Sequence, residues 1–372
     1  MSELIMRASS LLEQMYDSGN GLFSYSTRIV DGEYQNDFDD PRAQRYSINS
    51  LAGVQRMTLA HPGSWDFDTV LERYLKNHLE SVTDAGDKGL LLYVLAECRH
   101  PHATRQFDIV KKLAVDEKVY CSQVLQDACW LLYGLIAYSR NFSNAESRAL
   151  AKQCYSWLIE HFMNGKTLFP YHKLTGPRRR FVSFGGITYF LKAIYEYAST
   201  YDDMPASQLF KDAVGEIVLR QGPMGEWAWF YDSVSGRVVD WYEVYSVHQE
   251  AMAMLFLLPA HDMGVSEADG AIESSVAWLF GRNELGAKIM VDAPFFSYRS
   301  IRRIGPMQRQ MRIARAAFLA ASGKKARHAE PGKLEINKEC RSYEMGWTLY
   351  AWAGRNDFEE FTGLKALERI SE

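Results

Sequence analysis

The sequence has few of the features that mark secreted, membrane-spanning or nucleic-acid-binding proteins. Only 5 of its 372 residues are cysteine; they are scattered and never form C-x-x-C, so we expect reduced thiols buried in the core. No stretch reaches the roughly 18 apolar residues of a membrane span, and the first helical segment lacks a signal-peptide core. The formal net charge is −4, so the chain has no overall positive potential that would attract nucleic acid. We expect a cytoplasmic protein with no membrane span and no nucleic-acid partner, and leave its oligomeric state open.

Helical periodicity is abundant, and strand patterns are few. Some segments, such as 124–138 and 181–198, are apolar nearly all round, whereas others, such as 144–161 and 205–219, are amphipathic. All-round apolar helices are buried on both sides and amphipathic helices lie outside them. About fourteen helices are predicted, at residues 3–16, 45–60, 67–79, 88–98, 104–114, 119–140, 144–163, 182–200, 205–220, 246–258, 266–280, 309–321, 340–353 and 357–369.

The loops between these helices repeat a glycine followed by apolar or aromatic residues, as in Gly21-Leu-Phe-Ser-Tyr25 and Gly89-Leu-Leu-Leu-Tyr93. The spacing of about 60–75 residues fits one helical hairpin with its loop, and five to six such units fill the chain. Hairpins with one buried and one amphipathic layer close most economically as a toroid. We therefore predict an all-α (α/α)6 toroid, with short β-hairpins in the loops at one end, as a single domain over residues 1–372. The Gly/Lys/Arg/Pro-rich segment 322–333 is the best candidate for a disordered loop.

The stretch 221–254 holds the densest group of unusual residues. Trp227, Trp229 and Tyr231 alternate with period two, so an extended segment would place their rings on one face. Valines follow the turn after them and predict a return strand, which makes a β-hairpin over residues 226–241. Ser246 and Gln249 then have the spacing of a capping box, which predicts a helix that Pro259 stops. Rings, carboxylates and a helix amino end are thus expected to meet around a ligand.

The spacing Gln221-x-x-x-Gly225-x-Trp227 matches the core of the QW motif of squalene and oxidosqualene cyclases, with Glu216 in place of its upstream aromatic residue. The hairpin count resembles the six-hairpin toroids shared by those cyclases, protein prenyltransferases and six-hairpin glycosidases. More closely, the chain resembles a poorly characterised bacterial group of toroid proteins associated with polysaccharide biosynthesis. That resemblance rests on Arg45-Tyr46, Asp127-Ala-Cys-Trp130-Leu-Leu, residues 221–232, Tyr245-Ser-Val-His-Gln249-x-x-Met252, Asn283-Glu284-Leu285 and Glu339-Cys-Arg341-x-Tyr343-x-x-Gly346-Trp347-x-Leu-Tyr350.

The resemblance implies a carbohydrate-active enzyme that acts on an oligo- or polysaccharide as a hydrolase, lyase or epimerase. Two alternatives stay open. A terpenoid-cyclase-like enzyme would use the same aromatic wall to stabilise carbocations. A non-catalytic glycan-binding or scaffold protein is favoured by departures from the group, which has a His where Phe230 stands, a Trp at Ala228, a Pro at Glu243 and an Asp near Gly185-Gly186.

Four residues are the candidates for catalysis. Asp127 opens an otherwise apolar helix, where a charge is costly unless it is paired or faces a cavity. Glu226 and Asp232 share the hairpin face opposite the tryptophans, and His248 follows the predicted cap as a possible proton shuttle. No Cys/His spacing indicates a metal or cofactor. The residues expected to bind substrate are Arg45, Tyr46, Trp227, Trp229, Tyr231, Tyr245, Gln249, Arg299, Arg341, Tyr343 and Glu344. Glu339, Arg341 and Glu344 also fit a clamp at the start of the last buried helix.

Overall fold

The computed structural model describes residues 3–292, 294–305 and 309–358. Within those residues the chain is mostly helical. Its fourteen α-helices are α1 (Glu3–Gln14), α2 (Ala43–Ala60), α3 (Phe67–His78), α4 (Ala85–Glu97), α5 (His102–Ala114), α6 (Glu117–Ser122), α7 (Leu125–Asn141), α8 (Ala145–Trp157), α9 (Phe184–Tyr201), α10 (Met204–Val218), α11 (Met254–Asp262), α12 (Glu267–Leu279), α13 (Arg309–Ser322) and α14 (Ser342–Trp352).

Six of these helices form a closed inner ring. Helix α2 packs against α4, α4 against α7, α7 against α9, α9 against α11, α11 against α14, and α14 against α2. Their residues are buried on nearly all sides, which is why their sequences are apolar all round. The amphipathic helices α1, α3, α5, α8, α10 and α12 pack outside the ring. The all-α (α/α)6 toroid predicted from periodicity is therefore confirmed.

Glycines let two pairs of inner helices approach closely. A Cβ atom on Gly53 of α2 would lie 2.0 Å from the carbonyl oxygen of Gly346 in α14. A Cβ on Gly89 of α4 would lie 2.5 Å from the backbone of Leu131 in α7, and one on Gly134 would lie 2.5 Å from the carbonyl oxygen of Gly89. Real side chains do not tolerate such distances, so these contacts fix the spacing of the ring.

Replacing Gly53 by alanine should therefore destabilise the toroid even though alanine favours helices. Overpacking typically costs about 1–3 kcal/mol, and here the obstacle is backbone, which cannot rotate away. Gly215 in α10 is the matched control, because a Cβ added there would meet nothing within 4 Å. Gly215→Ala should instead stabilise by roughly 0.4–1 kcal/mol. Urea denaturation of the two variants measures both effects, and equal midpoints would refute the close-packing account.

Small sheets lie in the loops that lead into the inner helices. Strands β3 (Ser26–Val30) and β4 (Glu33–Asp37) precede α2. Strand β5 (Phe181–Ser183), directly before α9, pairs with β6 (Phe230–Asp232), which pairs with β7 (Arg237–Asp240). Strand β8 (Val244–Tyr245) pairs with β11 (Ser300–Arg303), which pairs with β12 (Leu334–Asn337) before α14. Two further pairs are β1 (Tyr16–Asp17) with β2 (Leu22–Phe23) and β9 (Met290–Asp292) with β10 (Phe295–Ser297). The hairpin predicted over residues 226–241 is β6–β7.

Several local predictions were wrong. The segment 119–140 is two helices, since the backbone is extended at Gln123 and Val124. Helix α11 continues through Pro259 to Asp262, held by the buried residues around that proline. No capping box forms at Ser246, because pairing of β8 with β11 directs its hydroxyl to the Arg299 carbonyl oxygen; a π-helical turn, His248–Met252, follows instead.

The loop 322–333 is anchored rather than disordered: Trp241 Nε1 donates to the Ala326 carbonyl oxygen at 3.2 Å, and the His328 ring stacks on Trp241 at 4.1 Å. Most of the predicted helix 357–369 lies outside the described residues. Of the cysteines, Cys129, Cys154 and Cys340 are buried as expected, whereas Cys98 and Cys121 are only half-buried. No helix among the described residues is long and apolar enough to cross a membrane.

Candidate active site

The amino ends of the inner helices, with the loops beside them, gather aromatic and charged side chains in one connected group. We call this group the aromatic belt. Its residues come from α2, α7, α9 and α14 and from the loops before α11 and α14, and each of them contacts or faces another. The belt consists of Arg45, Tyr46, Asp127, Trp130, Tyr189, Trp229, Tyr245, His248, Arg299, Tyr343 and Trp347.

An acidic corner lies at one side of the belt, where α4 and α7 begin. Asp84 caps α4 by accepting the Gly86 N–H at 2.9 Å, and Asp87 lies in the first turn of the same helix. Arg45 reaches across from α2, with Nη2 2.9 Å from Asp84 Oδ1 and Nε 2.6 Å from Asp87 Oδ1. Asp127 lies beside these three groups, and its Oδ1 is buried with no hydrogen-bond partner among the described residues.

This environment raises the pKa of Asp127, so that about half of the Asp127 carboxyl groups still hold a proton near pH 7. The carboxyl packs over Gly86, where even a Cβ would come within 2.4 Å of Oδ1, and only 8% of the residue is exposed. Burial, and then the charge of Asp84, raises the pKa of Asp127 to about 7 against the opposing effect of Arg45. Burial also raises the pKa of Asp87, to about 6, although Arg45 favours its charged form. Asp127 is thus a proton donor beside a carboxylate that is mostly ionised.

Aromatic rings extend from this corner across the belt. The Arg45 guanidinium lies 5.5 Å from the Trp130 ring, and Trp130 meets Tyr189 edge to face at 5.1 Å. Tyr189 continues to Trp347 at 6.0 Å. Trp130 Nε1 is buried without a hydrogen-bond acceptor among the described residues, an arrangement that is costly unless a ligand supplies one. Trp130, Tyr189 and Trp347 are each at most 4% exposed, so the unpaired indole N–H of Trp130, rather than a ring face, is what this group offers to a ligand.

His248 lies on the opposite side of the belt, among rings. Its ring is 4.8 Å from Phe184, 5.1 Å from Tyr245 and 6.1 Å from Trp229. Burial lowers its pKa to about 3, so the imidazole is neutral at physiological pH. Its Nδ1 has no hydrogen-bond partner among the described residues. His248 is consequently a weak base, suited to hydrogen bonding.

A buried ion cluster closes the belt near α14. Glu339 Oε1 accepts from Arg299 at 2.7 Å and from Arg341 at 2.6 Å. Burial opposes ionisation, but the two arginines outweigh it and lower the pKa of Glu339 to about 2. Arg299 also lies 5.3 Å from the Tyr245 ring, while Tyr343 meets Tyr46 at 4.5 Å. The predicted clamp thus forms between Glu339 and Arg341, but Glu344 takes no part in it.

Two acids predicted to be catalytic are held by hydrogen bonds inside the protein. Asp232 accepts two hydrogen bonds from Arg180, each 2.6 Å, and one from Ser235 at 2.6 Å. Glu226 is fully buried between the Met224 N–H and His328 Nε2, which is 2.6 Å from its Oε1. Their catalytic roles stay predictions, and these contacts favour structural ones.

Four of the predicted substrate-binding residues also point into the protein interior. Trp227 is fully buried and donates to Ser275 Oγ at 2.9 Å, and Tyr231 accepts from the Ala228 N–H. Gln249 Nε2 donates to the Tyr245 carbonyl oxygen at 3.3 Å. Glu344 Oε1 lies 2.6 Å from Ser246 Oγ and 3.0 Å from Ser297 Oγ. Trp229, in contrast, is only half-buried and lies in the belt.

The QW-like spacing has a structural explanation. Gln221 Nε2 donates to the carbonyl oxygens of Gly225 and Ala271 and to Ser275 Oγ, at 2.9–3.1 Å. Trp227 donates to the same hydroxyl. The motif therefore ties the segment before the hairpin to α12 and takes no part in the belt.

Five residues of the site were missed by sequence reasoning: Asp84, Asp87, Trp130, Tyr189 and Trp347, of which Trp130 and Trp347 entered only as residues that carry the resemblance. An aspartate at the start of a helix looks like an ordinary cap, and Asp84 is indeed the cap of α4. Tyr189 looks like one more apolar residue of a buried helix. No local signal sets Asp84 and Tyr189 apart, because their role depends on Arg45 and Trp130 from other hairpins.

Comparison with solved structures supports the fold. Cellobiose 2-epimerase from Bacillus thermoamylovorans superposes with a TM-score of 0.64 at 12% identity, covering 92% of this chain and 95% of that one. An α-1,6-mannanase from a Salegentibacter species gives 0.62 at 10% identity, covering 95% and 98%. Unsaturated glucuronyl hydrolase from a Bacillus species gives 0.59 at 12% identity, covering 94% and 93%.

These neighbours define the class of the fold: a six-hairpin (α/α)6 toroid of the glycosidase-like type. Identities near 10% show shared architecture alone. No family model matches the chain, and no curated protein matches it.

Proposed function

We propose that the protein is a carbohydrate-active enzyme that cleaves an oligo- or polysaccharide at the aromatic belt by acid–base chemistry. The observation that carries this proposal is the position of Asp127, a buried carboxyl with an unpartnered Oδ1 among the described residues, beside two carboxylates that Arg45 binds; burial raises the pKa of Asp127 to about 7. Pairs of acids whose environments hold one protonated and the other ionised are typical of glycoside hydrolysis. Asp127 would protonate the leaving glycosidic oxygen, and Asp87 would stabilise the positive charge that develops on the sugar. A water molecule would then add to the anomeric carbon and give a proton to the Asp127 carboxylate, which restores the starting state.

The belt has the properties of a sugar-binding surface. Trp229 is half-buried and offers part of its ring to the apolar face of a pyranose, while Arg45 and Arg299, also half-buried, offer donors to hydroxyl or carboxylate groups. Related toroids support the same use of the fold, since an inactive mannanase variant was solved in complex with α-1,6-mannotetrose.

Hydrolysis is favoured over the lyase and epimerase reactions because those reactions begin with removal of a C–H proton by a base. His248 is a poor base with its pKa near 3, and Asp127 is half-protonated near neutral pH. A terpenoid-cyclase-like reaction is disfavoured by the charged groups of the belt, since Arg45, Arg299 and the acidic corner are costly beside a hydrocarbon.

Ligand binding at the belt is tested by tryptophan fluorescence. Neutral and uronate-containing oligosaccharides are titrated into the parent, into Trp229→Ala and into Trp65→Ala. Trp65 is also half-buried, but it lies on the outside and donates to Ser9 Oγ. We expect quenching in the parent and in the Trp65 variant, and about 2- to 12-fold weaker binding in the Trp229 variant, since one aromatic ring contact contributes roughly 0.5–1.5 kcal/mol. Equal quenching in all three would remove Trp229 from the site.

A further inference from the structure

A second cluster of reactive side chains lies outside the inner ring, between α6 and the π-helical turn Leu158–Phe162 that extends α8. It consists of Glu117, Cys121 and His161. One ligand atom of each residue lies within 4.8 Å of the other two. We propose that these three residues bind a zinc-class divalent metal ion. This site is independent of the function proposed for the belt.

The local structure orients all three side chains toward one point. Glu117 and Cys121 are four residues apart in α6, so they lie on the same face of that helix. His161 Nδ1 is 3.1 Å from the Trp157 carbonyl oxygen, to which it donates. This bond fixes the tautomer that leaves the Nε2 lone pair free, and Nε2 faces Glu117. A backbone carbonyl that orients the far nitrogen of a metal-binding histidine is a recurrent feature of zinc sites.

The distance between the carboxylate and the imidazole fits tetrahedral coordination. Glu117 Oε1 and His161 Nε2 lie 3.3 Å apart. Bonds of about 2.0–2.1 Å to a tetrahedral zinc ion place two ligand atoms about 3.3–3.4 Å apart. A thiolate, an imidazole and a carboxylate together select zinc or a similar transition metal, because magnesium and calcium prefer oxygen ligands alone. The fourth position is open to water.

A comparable cluster shows what makes this one distinctive. His261, Asp262 and Asp357 also bring three ligand atoms together. There, however, Arg355 binds both carboxylates, at 2.7 Å from Asp262 Oδ2 and 2.6 Å from Asp357 Oδ2. The guanidinium already supplies the cation, so that cluster needs no metal. No arginine or lysine pairs with Glu117 in the described part of the chain.

The metal would join two elements that are distant in sequence. His161 follows Cys121 by 40 residues, a separation that matches no short zinc motif, which is why the sequence predicted no metal. Helix α6 leads directly into α7, whose first turn carries Asp127. Binding the ion would tie this connection to the end of α8, and we assign the site a structural role.

Cobalt(II) titration of the metal-free full-length protein tests the proposal, because a thiolate ligand gives a charge-transfer band in the near ultraviolet. We expect one equivalent to bind with that band, and zinc to displace it. Cys121→Ser should abolish the band and His161→Asn should weaken binding at least about 100-fold, since loss of a mere supporting group already costs 10–100-fold.

Cys98→Ser is the matched control, because Cys98 is the other half-buried thiol and donates to the Val94 carbonyl oxygen. It should leave the band and the stoichiometry unchanged. Circular dichroism without metal checks that each variant is folded, and Glu117→Gln provides a third ligand variant if one of the others is not. A parent that binds no stoichiometric cobalt, or a band that survives in Cys121→Ser, would overturn the proposal.

Discussion

Replacing Asp127 by asparagine should reduce the turnover of the protein's oligosaccharide substrate by about 10²- to 10⁴-fold, the usual loss when a positioned general acid is removed. The amide keeps the shape of the side chain over Gly86 but cannot give up a proton. Steady-state kinetics on the substrate that binds the parent most tightly, at pH 6 and with the melting temperature measured in parallel, gives the result.

Asp232→Asn is the comparison that separates the belt from the hairpin. Its carboxylate is fully engaged by Arg180 and Ser235, so its loss should lower stability and leave turnover per folded molecule nearly intact. The reverse outcome, with Asp232→Asn inactive and Asp127→Asn active, would place the reaction at the hairpin and refute the assignment of Asp127.

Measuring stability and activity against pH distinguishes a catalytic effect of Asp127 from an effect on folding. The pKa of Asp127 is raised from 3.8 to about 7, so the folded protein binds this proton more tightly than the unfolded chain does. Its stability contribution is therefore complete below pH 4 and is lost as the pH rises to 7. The amide of the variant does not ionise, so Asp127→Asn does not lose this stability as the pH rises. The variant should be at least as stable as the parent at pH 8. The activity of the parent, which needs the proton, should fall above pH 7.

Replacing Glu339 by glutamine should destabilise the protein by about 3–5 kcal/mol, because it leaves two buried guanidinium groups without their carboxylate. Arg341 and Arg299 both depend on Glu339 Oε1, and the side chain of Arg341 is only 5% exposed. Urea denaturation at pH 7 measures the change in the free energy of unfolding.

Glu335→Gln is the matched control, since the Glu335–Arg302 pair is about half exposed and such pairs contribute about 0–1 kcal/mol. The pKa of Glu339 is lowered from 4.5 to about 2, so its contribution is present above pH 4.5 and is lost as the pH falls to 2. The parent should lose that stability in acid and Glu339→Gln should not. Equal losses for the two glutamine variants at pH 7 would contradict the buried clamp.

The helices and the toroid were predictable because periodicity reports burial directly. Helices that are apolar on all sides can only be the inner ring, and Asp127 is conspicuous as an acid within one of them. Periodicity does not predict contacts between side chains that are distant in sequence. Glu226 pairs with His328, 102 residues away, and Asp232 pairs with Arg180, 52 residues away. Neither partner could be paired with its acid from spacing alone.

The alternation of Trp227 and Trp229 shows the same limit. A period of two predicts rings on one face, but it cannot tell whether that face meets the core or a ligand. In the structure Trp227 packs on α12 through Ser275 while Trp229 reaches the belt beside His248. The π-helical turn at His248–Met252 was likewise hidden, because no propensity distinguishes it from an α-helix.

The position of an oligosaccharide bound to crystals of Asp127→Asn tests the central claim most directly. The claim predicts a sugar chain across the aromatic belt, with a ring stacked on Trp229 and a glycosidic oxygen within hydrogen-bond distance of residue 127. The carboxyl ends of the inner helices border a cavity of about 750 Å³, lined by Lys192, Glu196 and Arg140 among others. A sugar found there, with the belt empty, would contradict the account.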